Sequence, residues 1–113
     1  MQIQDKIARK LHFEQSHEFA KWLTKQEQTI SNTIASKILE IEVTGIFPAS
    51  AKMLEDADKI CELKFEFGPG YRAYYCQIGN IIYLLLNGGT KARQHQDIKR
   101  AKNIKKRELG EQA

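Results

Sequence analysis

The sequence predicts an α+β domain: a small, antiparallel-dominated sheet with an N-terminal helical hairpin before it and a C-terminal helix after it. Three observations carry that expectation. Apolar residues recur at intervals of three and four through the first half of the chain. The period switches to two between Cys61 and Phe67. After Gly88-Gly89 a helical, lysine-rich pattern returns. At 113 residues the chain reads as one domain, 1–113, with a single modest core.

Residues 7–13 are expected as a first strand, edge-like because the segment is charged. Ser16 is placed to cap a helix, with Glu18 in the first turn and Phe19, Trp22 and Leu23 on one face. Residues 24–28 form a short polar junction. A second helix follows, marked by Ile30, Ile34, Ile38 and Ile41, with Gly45 as its C-cap. Residues 46–58 read as a connection containing Pro48. Cys61, Leu63, Phe65 and Phe67 then alternate with Glu62, Lys64 and Glu66, the pattern of a half-buried strand. Gly68-Pro69-Gly70 turns the chain. Residues 71–78 form the next strand, Gly79-Asn80 a two-residue turn and residues 81–87 a third strand. That strand is apolar on both faces, so it is expected to be central or covered. Gly88-Gly89 is expected to break it. Residues 92–109 read as the closing helix, with a thin apolar stripe at Ile98, Ala101 and Ile104.

Faces follow from parity. Pairing Phe67 with Tyr71 across the turn puts Tyr71, Ala73 and Tyr75 on the side of Leu63, Phe65 and Phe67. Arg72, Tyr74 and Cys76 then share the other side with Glu62, Lys64 and Glu66, and this side is expected to be exposed. Cys61 and Cys76 face opposite sides, so no disulfide is expected. They form neither a CxxC nor a metal-spaced pair, which fits a reduced, cytoplasmic setting. Residues 1–10 hold Asp5, Lys6, Arg9 and Lys10 without an apolar core, so no secretory leader is expected there. The longest apolar run, residues 81–86, is too short to span a bilayer.

The net charge of +4 is unevenly spread. Residues 91–107 hold eight basic side chains against Asp97 alone, +7 in total, which leaves −3 for the rest of the chain. Such a cluster suits an anionic partner such as nucleic acid, although a solvated lysine-rich helix explains it equally well. The expected exposed face presents Glu62, Lys64, Arg72 and Tyr74, and the glycine corner brings Lys91 and Arg93 near its end. Arginine offers a planar fork matched to phosphate oxygens, and lysine adds a mobile point charge. Together they can stabilise a phosphoryl transition state. Tyr74 suits stacking on a base, or else simple packing. Neither glycine run has phosphate-loop spacing, and His12, His17 and His95 lack zinc spacing. His95 lies near the basic corner and is of the residue type that moves protons near neutrality. No metal or cofactor is expected.

Five runs in this order carry a resemblance: residues 19–23 (F-A-K-W-L), Glu62-Leu63-Lys64, residues 67–75 (F-G-P-G-Y-R-A-Y-Y), residues 84–91 (L-L-L-N-G-G-T-K) and residues 96–102 (Q-D-I-K-R-A-K). Together they resemble the RelE/ParE toxin superfamily, and within it the HigB-like addiction module killer proteins, over residues 10–105. The resemblance implies a RelE-like fold and a toxin of a bacterial type II toxin–antitoxin system. It implies a cognate antitoxin, commonly a helix-turn-helix DNA-binding protein, through which alone operator DNA is met. For the RelE-like branch it implies a metal-independent endoribonuclease, an mRNA interferase that binds ribosome and mRNA and inhibits translation. There the RNA 2′-hydroxyl attacks the adjacent phosphate while basic residues stabilise charge. By position, Lys64, Arg72 and Lys91 match catalytic basic residues. RNA contacts are expected from Tyr74, Arg93, His95, Lys99 and Arg100. Residues 94–97 match the place where related toxins carry a tyrosine, histidine or acidic residue. The chain departs from the pattern at Thr90, where aspartate is usual, at Lys64, often arginine, and at Glu62, which is basic in RelE. Two other readings stay open: a ParE-like toxin that inhibits DNA gyrase, and an inactive, antitoxin-binding remnant. On the sequence alone, Arg72→Ala is expected to leave the fold intact.

Overall fold

The longest strand, Ile82–Gly89, is the axis of the molecule. In the computed structural model, which describes residues 8–110, it is the fifth strand (β5) and pairs on both sides. On one side lies β1 (His12–Gln15), parallel to it, with Phe13 opposite Tyr83. On the other lies β4 (Arg72–Gln77), antiparallel. Outward from β4 come β3 (Cys61–Lys64) and β2 (Lys52–Met53), giving the order β1-β5-β4-β3-β2. The α+β expectation holds, with one parallel pair in an otherwise antiparallel sheet.

The N-terminal hairpin is α1 (His17–Thr24) and α2 (Gln28–Thr44). Ser16 caps α1 as expected: its Oγ accepts from the Phe19 N–H at 3.0 Å. The same hydroxyl donates to the Leu86 carbonyl, so the helix start is fastened to β5. Gly45 closes α2, its N–H donating to Ile41 at 2.7 Å. Phe19, Ile34, Ile38 and Ile41 meet Leu63, Phe65, Ala73 and Leu85 to form the larger core cluster.

The opposite face is not exposed. The C-terminal helix α3 (Gln94–Leu109) covers it, entered through a 3-10 turn at Lys91–Arg93. Its thin stripe, Ala101 and Ile104 with Ile98 beside them, packs on Tyr74, Cys76, Leu84 and Leu86. Fully burying an aliphatic or aromatic side chain contributes about 1.5–3 kcal/mol, so a stripe this narrow gains from further anchors. Lys102 Nζ donates to the Asp56 carbonyl at 3.3 Å and Lys105 Nζ to that of Asp58 at 2.5 Å. Arg107 forks onto Glu18 of α1, with Nη2 to Oε1 at 2.8 Å. Part of the basic stretch therefore serves the fold.

Several boundaries differ from expectation. The first strand begins at His12, and the earlier part of the expected segment includes residue 7, outside the described residues. The short strand β2 sits inside the expected connection because Met53 pairs with Cys61 and Lys52 with Glu62. Ladder bonding continues past β3 through the Phe65 N–H to the Tyr71 carbonyl at 2.9 Å. The turn after β4 is wider than two residues, because the Ile82 carbonyl accepts from both Ile78 and Gly79. Side-chain parity is as read: Cys61 packs with the larger cluster and Cys76 with the smaller, and both are free thiols.

Gly88 and Gly89 do not break β5; they end it between two helices. A Cβ on Gly88 would lie 2.3 Å from Trp22 Cε3, and one on Gly89 would lie 1.8 Å from Asp97 Oδ2. Just before them a bulge shifts the ladder, with Tyr74 opposite Asn87 but Tyr75 opposite Leu85.

Two predictions follow from this packing. Gly88→Ala forces the Trp22 ring to move and is expected to cost about 1–3 kcal/mol, read as a lower urea midpoint at unchanged slope. The Arg107 fork holds the Glu18 carboxyl down at about 2, from an ordinary 4.5. A depressed carboxyl stabilises the fold above its unfolded value, and that contribution is lost as pH falls from about 4.5 toward 2. Glu18→Gln is therefore expected to lower thermal stability at pH 7, by a margin that shrinks steadily as pH falls from about 4.5 toward 2.

Candidate functional site

At the end of the sheet where β5 stops, one row crosses three strands: Lys64 of β3, Arg72 of β4 and Gly89 of β5. Partners in an antiparallel ladder project to the same face, here the α3 side. Thr90 continues extended and the chain turns at Lys91. A Cβ on Gly70 would lie 3.2 Å from Arg72 Nη1 and 3.2 Å from Lys91 Cβ, so both side chains lie against the turn at this glycine. Gly70 itself has φ +80°, a left-handed conformation that glycine adopts without strain. Lys64, Arg72 and Lys91, far apart in sequence, thus share one corner.

The three differ in setting. Lys64 and Lys91 are exposed. Arg72 is only 5% exposed. Its Nε donates to Glu62 Oε2 at 3.2 Å and its Nη1 to the Gly70 carbonyl at 3.0 Å. Glu62, expected on an exposed face, is 1% exposed, and its Oε1 accepts from Gln94 Nε2 of α3 at 2.6 Å. A buried guanidinium without a counter-charge is very costly, and Glu62 removes that cost. Arg72→Ala is consequently not a neutral change: it would strand a buried carboxylate.

Arg93 and His95 are exposed at the entry to α3, beside this corner. Lys99 and Arg100 are exposed further along the helix, about 7–9 Å from Gln94 at 1.5 Å per residue. Tyr74 corrects the reading of this face. It is 0% exposed, enclosed beneath α3, and no base can stack on it. Burial, with Glu62 and Asp97 nearby, raises its pKa, so it stays a neutral phenol.

Beneath the corner lies a polar layer that periodicity did not disclose. Asn87 Nδ2 donates to the Asp97 carbonyl at 3.0 Å. Tyr74 Oη, Asn87 Oδ1 and Asp97 Oδ2 are buried without a hydrogen-bond partner among the described residues. Burial pushes the Asp97 carboxyl up, and Arg93 and Arg100 only partly offset this. Parity places Glu62 and Arg72 on one face, and Glu62, opposite Tyr74, lies diagonal to Arg72, within reach of a long side chain. Among the described residues no group of three or more histidine, cysteine or acidic side chains could hold a metal ion. No helix among them is long and apolar enough to cross a membrane. What the corner offers is fixed and mobile positive charge at a surface, the means of binding a phosphodiester and stabilising added negative charge on it.

No family model matches the chain. Over 53 residues it is 43% identical to an uncharacterized protein of Haemophilus influenzae, a match covering 47% of this chain and 52% of that protein. The chain thus spans about half the length of that curated relative. Among solved structures it is similar to a doubly substituted variant of Escherichia coli toxin RelE in the free state. The TM-score is 0.64 at 14% identity, over 84% of this chain and 96% of that one. It is also similar to a chain of the intact E. coli RelBE toxin–antitoxin complex, with TM-score 0.57 at 18% identity, over 71% and 95%. The chain has the RelE fold.

The layer generates one prediction. An Asp97 carboxyl raised above its ordinary 3.8 lowers stability as pH rises through the window between the unfolded and folded values. Asp97→Asn is expected to raise the melting temperature at pH 7, with the gain vanishing at pH 3, where both side chains are uncharged.

Proposed function

We propose that this chain is the toxin of a bacterial type II toxin–antitoxin pair, and that it cleaves mRNA on the ribosome without a metal. The observation that carries the reading is the convergence of Lys64, Arg72 and Lys91 on one corner of a RelE-fold sheet. The likeness to the chain in the RelBE complex supports a cognate antitoxin as partner. A helix-turn-helix antitoxin, contact with operator DNA only through it, a HigB-like kinship and a cytoplasmic location complete the proposal.

The chemistry is transesterification. The 2′-oxygen of the RNA forms a bond to the adjacent phosphorus, and the bond to the 5′-oxygen breaks. This leaves a 2′,3′-cyclic phosphate and a 5′-hydroxyl. The 2′-proton must leave and the 5′-oxygen must gain one. His95, exposed at the corner, carries the side-chain type suited to such transfers at neutral pH. Lys64, Lys91 and the free edge of Arg72 oppose the charge that builds on the phosphoryl oxygens. The ribosome supplies the positioning of the reacting groups, which alone lowers such barriers by several kcal/mol. Arg93, Lys99 and Arg100 extend the positive field along α3 for backbone contacts.

One observation favours a second reading. Glu62 offsets the charge of Arg72, leaving Lys64 and Lys91 as the corner's exposed cations. A ParE-like toxin that binds gyrase, or a remnant that only binds antitoxin, needs no stronger set.

Inducible expression with mapping of mRNA 5′ ends separates these readings. Lys64→Ala/Lys91→Ala changes exposed positions and is expected to leave folding unaltered while reducing cleavage at least about 100-fold. New 5′ ends inside translated codons, absent from the double variant, are the expected result. Arrest without new ends transfers the target to a protein such as gyrase. No arrest, with tight antitoxin binding, leaves the remnant.

A further inference from the structure

On the same face, the row next to the cations carries a carboxylate that binding an anion does not require. Both oxygens of Glu62 are engaged: Oε2 by Arg72 Nε at 3.2 Å, Oε1 by Gln94 Nε2 at 2.6 Å. Arg72 Nη1 donates in turn to the Gly70 carbonyl at 3.0 Å. Two of the three guanidinium nitrogens are therefore fixed, one from β3 and one from the turn, while α3 fixes Glu62 itself. Among the described residues Nη2 makes no hydrogen bond, and it is not one of the enclosed unpaired atoms. It is the guanidinium nitrogen left over, joined through Cζ to the Nη1 that lies, like Lys91 Cβ, against Gly70. A long side chain that must meet phosphate oxygens through one edge gains from being held in advance.

We propose that Glu62 is a positioning residue: bridged between Arg72 and Gln94, it aims the free Nη2 edge of Arg72 at a phosphate oxygen of bound RNA. The inference rests on the reading that the corner receives an RNA phosphodiester. It assigns Glu62 a task of geometry, and geometry can be separated from charge. Glu62→Gln keeps the length. Its oxygen accepts from Arg72 Nε, and with the Gln94 amide reversed its nitrogen donates to that residue's oxygen. Glu62→Asp keeps the charge but draws it back by one methylene, so it cannot span both partners. A role in stability alone ranks the two oppositely, because Gln leaves the buried guanidinium uncompensated and Asp does not.

The test compares the parent protein, Glu62→Gln and Glu62→Asp in single-turnover cleavage of ribosome-bound mRNA. Thermal melts and the NMR signal of the Arg72 Nε–H accompany it, with and without a non-cleavable 2′-O-methyl RNA trinucleotide. We expect the Gln variant to stay within about threefold of the parent rate and the Asp variant to fall at least about tenfold, with trinucleotide affinity changed less than about threefold. The Nε–H signal should be sharp in the parent and the Gln variant and broadened in the Asp variant. An Asp variant as fast as the parent, or losses that simply follow melting temperature, overturns the proposal. If the parent cleaves nothing, the functional reading fails by itself, and the NMR signal still decides the positioning. Sharpness that depends on side-chain length upholds it, and a signal equally sharp or equally broad in all three proteins overturns it.

Discussion

Where β5 ends, helices reach the sheet from opposite sides within one peptide unit of each other. Trp22 of α1 lies against Gly88, and Asp97 of α3 lies against Gly89, each too close to tolerate a Cβ. This double approach brings α1 and α3 down onto one strand end and so fixes the direction in which the chain leaves β5. Lys91 reaches the Gly70 turn because of that exit. The start of α3 lies where Gln94 can hold Glu62 because Asp97 is seated over Gly89. The corner's geometry is thus inherited from close packing two and more residues away.

Charge is handled differently on the two sides of this junction. The α1–α2 side is mainly apolar and aromatic, with Phe13, Phe47, Tyr75 and Tyr83 in mutual ring contact, and its one buried carboxylate among the described residues, Glu42, accepts from the Phe13 N–H at 2.7 Å. The α3 side mixes a narrow apolar stripe with Glu62, Arg72, Asn87 and Asp97, all buried. Replacing buried ion pairs by apolar groups is often neutral or stabilising, so such a layer is not explained by stability alone. Proteins tolerate local departures from good packing chiefly where function requires them. The oxygens of Tyr74, Asn87 and Asp97 that lack a partner among the described residues adjoin the cationic row, Tyr74 and Asn87 one same-face row along and Asp97 against Gly89.

Much of the architecture was legible in the sequence because it rests on periodicity. Ile34, Ile38 and Ile41 marked α2, Ser16 and Gly45 marked helix ends, and alternation from Cys61 set which side chains share a face. The same alternation misled on exposure. Glu62 and Tyr74 sit at positions that read as outward, and a helix with only three apolar residues on its inner face gave little sign that it would cover them. Burial of a polar residue depends on partners distant in sequence, here Gln94 and Arg72, and one segment's pattern does not report them. The glycine pair was read as a break because glycine is poor in strands. Its reason is steric, and it became visible only with Trp22 and Asp97 in place. The convergence of Lys64, Arg72 and Lys91 follows from strand parity and the glycine corner; their unequal exposure does not.

The parallel pairing of β1 with β5 has a consequence for the order of events during synthesis. Ser16 and the Leu86 carbonyl that receives its hydroxyl are 70 residues apart. β1 can pair only after β5 has emerged, and pairings of such separation form slowly because loop closure precedes any reward. The helical hairpin can form early from local contacts, but the sheet face it packs on is incomplete until β5 arrives. Lys91 and α3 follow later still. A nascent chain therefore lacks the cationic corner until Lys91 and the start of α3 have been translated, and whatever the corner does is withheld from every copy that stops short of them.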